Sequence, residues 1–273
     1  FQPVASGPDM AAAPSTAPEL DFAAATALAL QLDFSAPHPR HFGAPSAEMT
    51  PLRLGDFEGE VVSGSSCNCS RITLVPHCNG THTEGVSHLT VQQVPLQQYV
   101  PLSPMPALLL TVPASSAASS TEDSDPAPQT HDAIVTRESL LGAWQSFDHY
   151  RPPALLLRTG VDIDNDNPPY LSRQLVLELL ARGVEHLVID LPSVDRSRDE
   201  GRLTAHRVFF GLPPHSVDRA QAARPQCTIT ELAHFPDLLI DGPCALQLQL
   251  APFTGDAVPS RPLHIPYASR SGT

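Results

Sequence analysis

The sequence predicts an α/β domain with parallel strand pairing, on three observations. Residues 154–159, ALLLRT, form an apolar run of strand length closed by Gly160. Residues 172–180 follow, with Leu175, Leu179 and Leu180 on one side of a helix that Ser172 caps and Arg182-Gly183 ends. Residues 186–190, HLVID, then return as a second apolar strand. That order is the signature of a parallel crossover unit.

The remaining elements are weaker and are taken along the chain. Residues 1–18 are rich in Pro, Ala, Ser and Gly and predict a disordered arm before a single domain over 19–273. Residues 19–32, ELDFAAATALALQL, predict a helix, although the alternation of Leu28, Leu30 and Leu32 also fits a strand. Residues 37–51 form an irregular loop of the length that often carries function. Strands are expected over 58–62 and 71–75, where Pro76 ends the second, and short ones over 97–100 and 107–112. Residues 114–131, ASSAASSTEDSDPAPQTH, lack the apolar surface to order themselves and predict a surface insertion. Thr136 caps a helix running to about residue 147. Residues 203–210 predict a helix, 228–232 a short strand or helix start, and 246–251 an alternating strand. No internal repeat emerges.

Bulk properties exclude several functions. Sixteen basic against 29 acidic residues give a formal charge of −13, which repels phosphate backbones and argues against nucleic acid as a partner. No apolar stretch approaches 18 residues, so no membrane span is expected, and residues 1–25 show no signal-peptide pattern. Five cysteines, an odd and sparse set, predict a reducing, cytoplasmic setting rather than a disulfide framework.

The chemistry concentrates in PHCNGTHTEGVSH, residues 76–88. If this backbone is broadly extended, Cys78, His82, Glu84 and His88 share one face and His77 takes the other. Thiolate, imidazole and carboxylate together suit zinc; imidazole and carboxylate alone also suit manganese or iron. The plain alternative is a polar, glycine-broken surface loop with solvated histidines. Two distant residues join the argument: His206 in a helical pattern, and Glu231 in CTITEL, where a buried charge needs a partner. Either one alone is more often an ordinary surface residue. A Cys78–His nucleophilic pair is also open. No Gly-x-Ser-x-Gly elbow supports a serine nucleophile.

These residues resemble the cyclase-like hydrolase family that includes bacterial kynurenine formamidase and isatin hydrolase. Its signature is His-x-Gly-Thr-His-x-Asp-x-Pro-x-His. Gly80-Thr81-His82 fits the centre, Glu84 stands at the Asp, Val86 at the Pro, His88 at the last His and Cys78 at the first, with His77 displaced by one. Leu155 to Gly160, Leu171 to Asp190 and the turn Pro192-Ser193-Val194-Asp195 resemble later landmarks, and His206 and Glu231 match later ligands. The resemblance implies a swivelling β/β/α domain with mixed sheet layers and flanking helices, working as a homodimer or larger homo-oligomer on a small-molecule substrate. It implies one or two divalent ions, zinc before manganese. Cys78, His82 and Glu84 would serve one ion; Glu84, His206 and Glu231 would serve a second. His88 would shuttle protons and Thr81 orient a ligand or hold the turn. The implied reaction is hydrolysis of a small amide, lactam or ester by an activated water, as in an arylformamidase. The departures at Cys78 and Glu84 keep a non-catalytic binding or scaffold protein on the same fold as the rival. The loop 42–49, Trp144 and residues 210–215 are candidate pocket walls.

Overall fold

The structure is a computed structural model that describes residues 18–161 and 166–268. The expected arm over 1–18 lies outside it, apart from residue 18. Eight strands build the main sheet: β1 (Thr26–Ala27), β2 (His82–Glu84), β3 (Met105–Thr111), β4 (Ala154–Arg158), β5 (His186–Ile189), β6 (Thr228–Glu231), β7 (Gly242–Leu250) and β8 (Ala257–Ile265). Their order is β1-β8-β7-β3-β4-β5-β6-β2, and a further β8–β2 pairing closes seven of them into a barrel-like sheet. Strands β3, β4, β5 and β6 run parallel, and the remaining pairings are antiparallel. The result is a mixed α/β fold with few helices.

The central strands read as unbroken apolar runs because both faces are covered. Leu108 and Leu110, Leu155 and Leu157, and Leu187 and Ile189 face one core with α2 (Arg137–Trp144), α3 (Arg173–Ala181) and α4 (Thr204–Phe210). Ala107 and Leu109, Ala154 and Leu156, and Val188 alternate into a second core inside the closed sheet, with Leu28, Phe235 and Leu246. The expected strand–helix–strand unit is present as β4, α3 and β5, with Ser172 Oγ accepting from Leu175 N at 2.9 Å. Thr136 Oγ1 likewise accepts from Ser139 N at 3.1 Å at the start of α2.

Several expectations give way. Residues 19–32 are not a helix: Thr26 and Ala27 pair with His264 and Leu263 of β8, and Leu28 is fully buried. An open edge of β8 and a buried slot for Leu28 outweigh the helical propensity of the Ala- and Leu-rich run. Residues 97–100 hold a 3₁₀ turn, Leu96–Gln98, after Pro95, rather than a strand. Of 58–62, only Glu58 is strand, in the pair Arg53–Leu54 with Phe57–Glu58; Val61–Ser63 is another 3₁₀ turn. The strand near 71–75 is Ser70–Thr73, paired with Glu48–Pro51 inside the expected long loop. β8 has no counterpart among the expectations, because Pro259 and Pro262 interrupt its pattern.

The segment 114–131 is tied to the domain by polar contacts. Ser115–Ser116 pairs with Ala133–Val135. The Glu122 carboxylate accepts from Arg137 N at 2.7 Å and Glu138 N at 3.1 Å, and from the Ser172 hydroxyl. An acidic side chain thus satisfies free amides at the start of α2 and the capping residue of α3. Among the described residues no helix is long and apolar enough to cross a membrane.

Candidate metal centre

Register builds the centre. In the antiparallel β2–β6 pair, Glu84 lies opposite Ile229 and His82 opposite Glu231. Ile229 belongs to the helix-side core, so alternation puts His82, Glu84 and Glu231 on that same face. Thr83 and Thr230 point to the other face and share a 2.7 Å hydrogen bond. Helix α4 packs over the face and brings His206. The short helix α1 (Pro76–Asn79) brings His77, and the 3₁₀ turn Val86–His88 brings His88.

Four histidines converge on Glu84 and Glu231. His206 Nε2 lies 2.7 Å from Glu84 Oε1 and 3.6 Å from Glu231 Oε1. His82 Nε2 lies 3.5 Å from Glu231 Oε2. His77 Nδ1 lies 3.1 Å and His88 Nε2 4.0 Å from Glu84 Oε2. Two ligand-sized triads share Glu84: His82 with Glu84 and Glu231, and His77 with Glu84 and His88. His82 Nε2, His206 Nε2 and both Glu84 oxygens are buried without a hydrogen-bond partner; the 2.7 Å approach of His206 lacks hydrogen-bond geometry. Buried polar atoms are rarely left so. A divalent cation among them would satisfy all four, and imidazole plus carboxylate is a donor set such cations accept.

The backs of the histidines are held. His82 Nδ1 lies 3.0 Å from Gly80 O, and His206 Nδ1 lies 2.6 Å from Asp195 Oδ2. Asp195 also accepts from Ala205 N at 2.7 Å and His206 N at 3.1 Å, so one carboxylate anchors both the start of α4 and its ring. Glu231 Oε1 accepts from Val194 N at 2.7 Å. Second-sphere acceptors of this kind fix which ring nitrogen faces a metal.

Electrostatics follow from crowding in a dry place. Burial alone would raise the pKa of Glu84, but the charges of His88 and His206 and the close approach of the His206 and His77 rings pull it well below the carboxylate range. Burial opposes charge on His206, yet Glu84 and Asp195 raise it well above the usual imidazole value. Burial also opposes charge on His77, but Glu84 and then Asp256 outweigh it and raise the ring to about 9. His88 goes the other way: burial lowers it, and Glu84 does not compensate for His206 and His77.

Of the expected site residues, His82, Glu84, His88, His206 and Glu231 come together. Cys78 joins neither triad. Residues 76–79 are a helical turn started by Pro76, not extended chain, so consecutive side chains rotate by about 100° and His77 takes the inward position. Burial and the Glu231 charge raise the Cys78 thiol, which disfavours a nucleophilic thiolate. Thr81 does not face the cluster: its hydroxyl donates to Leu232 O and accepts from Leu30 N at 2.8 Å, which pins the turn. Trp144 is fully buried in the core, with Nε1 donating to Tyr150 O, and is not among the walls of the cavity beside the cluster.

A cavity of 250 Å³ opens on the centre, walled by His77, His88, His206 and Glu231 opposite Phe42 and Arg196. Phe42 belongs to the expected loop. A larger cavity, 320 Å³, lies elsewhere around Arg202, Arg207 and His215 and contains no member of the cluster. Sequence reasoning named Asp195 only as part of a turn and missed its hold on His206. The signal was the acid 11 residues before His206 at the start of a helix. Asp256 had no sequence signal, since hairpin register alone brings it to His77.

Comparison with known proteins places this architecture. A predicted metal-dependent hydrolase from Bacillus stearothermophilus superposes with a TM-score of 0.57 at 16% identity, covering 88% of this chain and 97% of that one. Isatin hydrolase A from Labrenzia aggregata, bound to benzyl benzoate, gives 0.57 at 15%, covering 89% and 94%. Isatin hydrolase A from Ralstonia solanacearum gives 0.53 at 14%, covering 89% and 91%. At these identities the likeness is one of fold. No curated protein matches the sequence. The family described as "Putative cyclase" matches residues 16–196, and the chain therefore belongs to the cyclase family.

Proposed function

We propose that this protein is a metal-dependent hydrolase of a small amide, lactam or ester. One observation carries the reading: four buried donor atoms of His82, Glu84 and His206 lack hydrogen-bond partners and face one another beside a cavity. The names of the structural neighbours support the hydrolytic class.

His82, Glu84, His206 and Glu231 would hold the ion or ions. Imidazole and carboxylate donors serve zinc and manganese alike, and the preference for zinc weakens once Cys78 stands outside the set. When bound, the ion would acidify a water and polarise the substrate carbonyl. His88 supplies the proton traffic: its ring lines the cavity, its side chain is 25% exposed and its pKa is depressed by burial. A neutral Nε2 there accepts a proton from water and returns it to the leaving group. Asp195 and Gly80 keep the His206 and His82 rings aimed. A reducing, cytoplasmic setting is part of the proposal. A homodimer belongs to the same proposal.

The test is elemental analysis of the purified protein, followed by turnover of N-formyl aromatic amides and cyclic imides before and after chelation. We expect one or two divalent ions per chain, loss of turnover on chelation, recovery on reloading, and a drop of orders of magnitude in His82→Ala. Full activity after thorough chelation, or failure to take up any divalent ion, would reject the proposal.

A further inference from the structure

The centre contains three histidines whose backs meet a fixed acceptor, and the third pair is unlike the other two. His82 and His206 turn Nε2 inward and rest Nδ1 on Gly80 O and Asp195. His77 is reversed: Nδ1 lies 3.1 Å from Glu84 Oε2, and Nε2 lies 2.9 Å from Asp256 Oδ2. Asp256 stands 179 positions away in sequence. It precedes Ala257, the residue of β8 that pairs with Glu84, so the register that closes the barrel also sets the carboxylate behind His77. The helical turn that carries His77 is braced by Asn79, whose Oδ1 accepts from Val75 N at 2.8 Å and whose Nδ2 donates to Pro39 O and Pro45 O at 3.1 Å each.

The geometry points to Asp256 as a positioning residue that holds His77 in the metal centre through Nδ1, so that the displaced histidine, and not Cys78, completes the ligand set. The inference rests on the proposed metal site and deepens it. With an ion bound, a proton held on Nε2 by Asp256 would leave the Nδ1 lone pair free to face that ion, as Asp195 would for the opposite nitrogen of His206. Asp256 is 54% exposed at a hairpin end and does not touch Glu84, so its effect on the centre passes through the ring.

The experiment measures divalent-ion affinity of the full chain by competition with a chelator, using zinc, in the unaltered protein, Asp256→Ala, Asp256→Asn, His77→Ala, the double Asp256→Ala/His77→Ala and Cys78→Ser. We expect Asp256→Ala to weaken binding by about 10–100-fold, the range for loss of a second-sphere partner. Asp256→Asn keeps an acceptor oxygen and recovers part of that loss. In the His77→Ala background, removing Asp256 should cost nothing further. Cys78→Ser should bind within about twofold of the unaltered chain, and the cobalt-loaded protein should show no thiolate-to-cobalt band, because that band requires a thiolate bonded to the metal. Three results would overturn the inference: unchanged affinity in Asp256→Ala, an equal loss with His77 absent, or a cobalt–thiolate band lost in Cys78→Ser. If the unaltered chain binds no zinc, cobalt or manganese, the metal site itself fails; binding that ignores Asp256 sinks only the positioning role.

Discussion

Replacing Asp195 separates the folding role of a carboxylate from its role behind a ligand. Its oxygens take Ala205 N, His206 N and His206 Nδ1, all buried. Asp195→Ala strands two backbone donors in the first turn of α4. A buried donor without a partner costs about 1–3 kcal/mol, so the pair costs about 2–6 kcal/mol. That is a large share of a typical total of about 5–15 kcal/mol. Asp195→Asn keeps an oxygen for Ala205 N but puts its NH₂ where Oδ2 took both His206 N and the ring, so it strands one backbone donor instead of two. An amide NH₂ opposite Nδ1 favours the other tautomer, with a proton on Nε2, 2.7 Å from Glu84 Oε1. That places a hydrogen where a lone pair must face the cation. Loss of such a partner weakens metal binding by about 10–100-fold, or roughly 1.4–2.7 kcal/mol. Chelator competition and thermal melting of the metal-free protein distinguish the two effects. We expect Asp195→Asn to melt within a few degrees of the unaltered chain while losing metal affinity, and Asp195→Ala to lose both. Unaltered affinity in Asp195→Asn would refute the reasoning.

Two further outcomes follow from other parts of the fold. His186 is buried with Nδ1 2.9 Å from Thr228 Oγ1, and burial lowers its pKa from 6.5 to about 4. The unfolded chain therefore takes up this proton first: stability is intact above pH 6.5, falls between 6.5 and 4, and levels off below, by about 3 kcal/mol in total at roughly 1.4 kcal/mol per pH unit. Urea unfolding at pH 7, 5.5 and 4 should show that loss, and His186→Gln should flatten it; an identical acid slope in the variant contradicts the assignment. Glu122→Ala removes the acceptor for two α2 amides and for Ser172, costing about 1–2 kcal/mol, with a few degrees lost in melting temperature and no change in metal affinity. A melting temperature that does not move would mean the segment 114–131 contributes nothing to the domain.

What the sequence revealed was local. The unit from Ala154 to Ile189 was readable because its apolar runs, caps and stops sit within about forty residues of one another. His82, Glu84, His206 and Glu231 stood out because donor residue types followed one another in a recognisable order. The inward choice between His77 and Cys78 was not readable from alternation, because Pro76 begins a helical turn in which neighbouring side chains no longer alternate. β1 and β8 were hidden for opposite reasons. Residues 19–32 have enough alanine to look helical, and the prolines of β8 mask a strand that only its neighbours stabilise. Asp256 acts through a contact that no spacing rule encodes, and Asp195 had only its place 11 residues before His206 to announce it.

The seam between β2 and β8 carries a consequence for how the protein comes into being. Every donor side chain, from His77 to Glu231, leaves the ribosome before β7 begins at Gly242. Yet β2, the three-residue strand holding His82 and Glu84, gains its second neighbour only when Ala257 to Pro259 arrive. A nascent chain therefore carries a complete set of chelating groups well before it has the frame to aim them. Metal loading would then wait for emergence of the β7–β8 hairpin, and a chain cut short before residue 242 would hold the ligands without the frame that aims them.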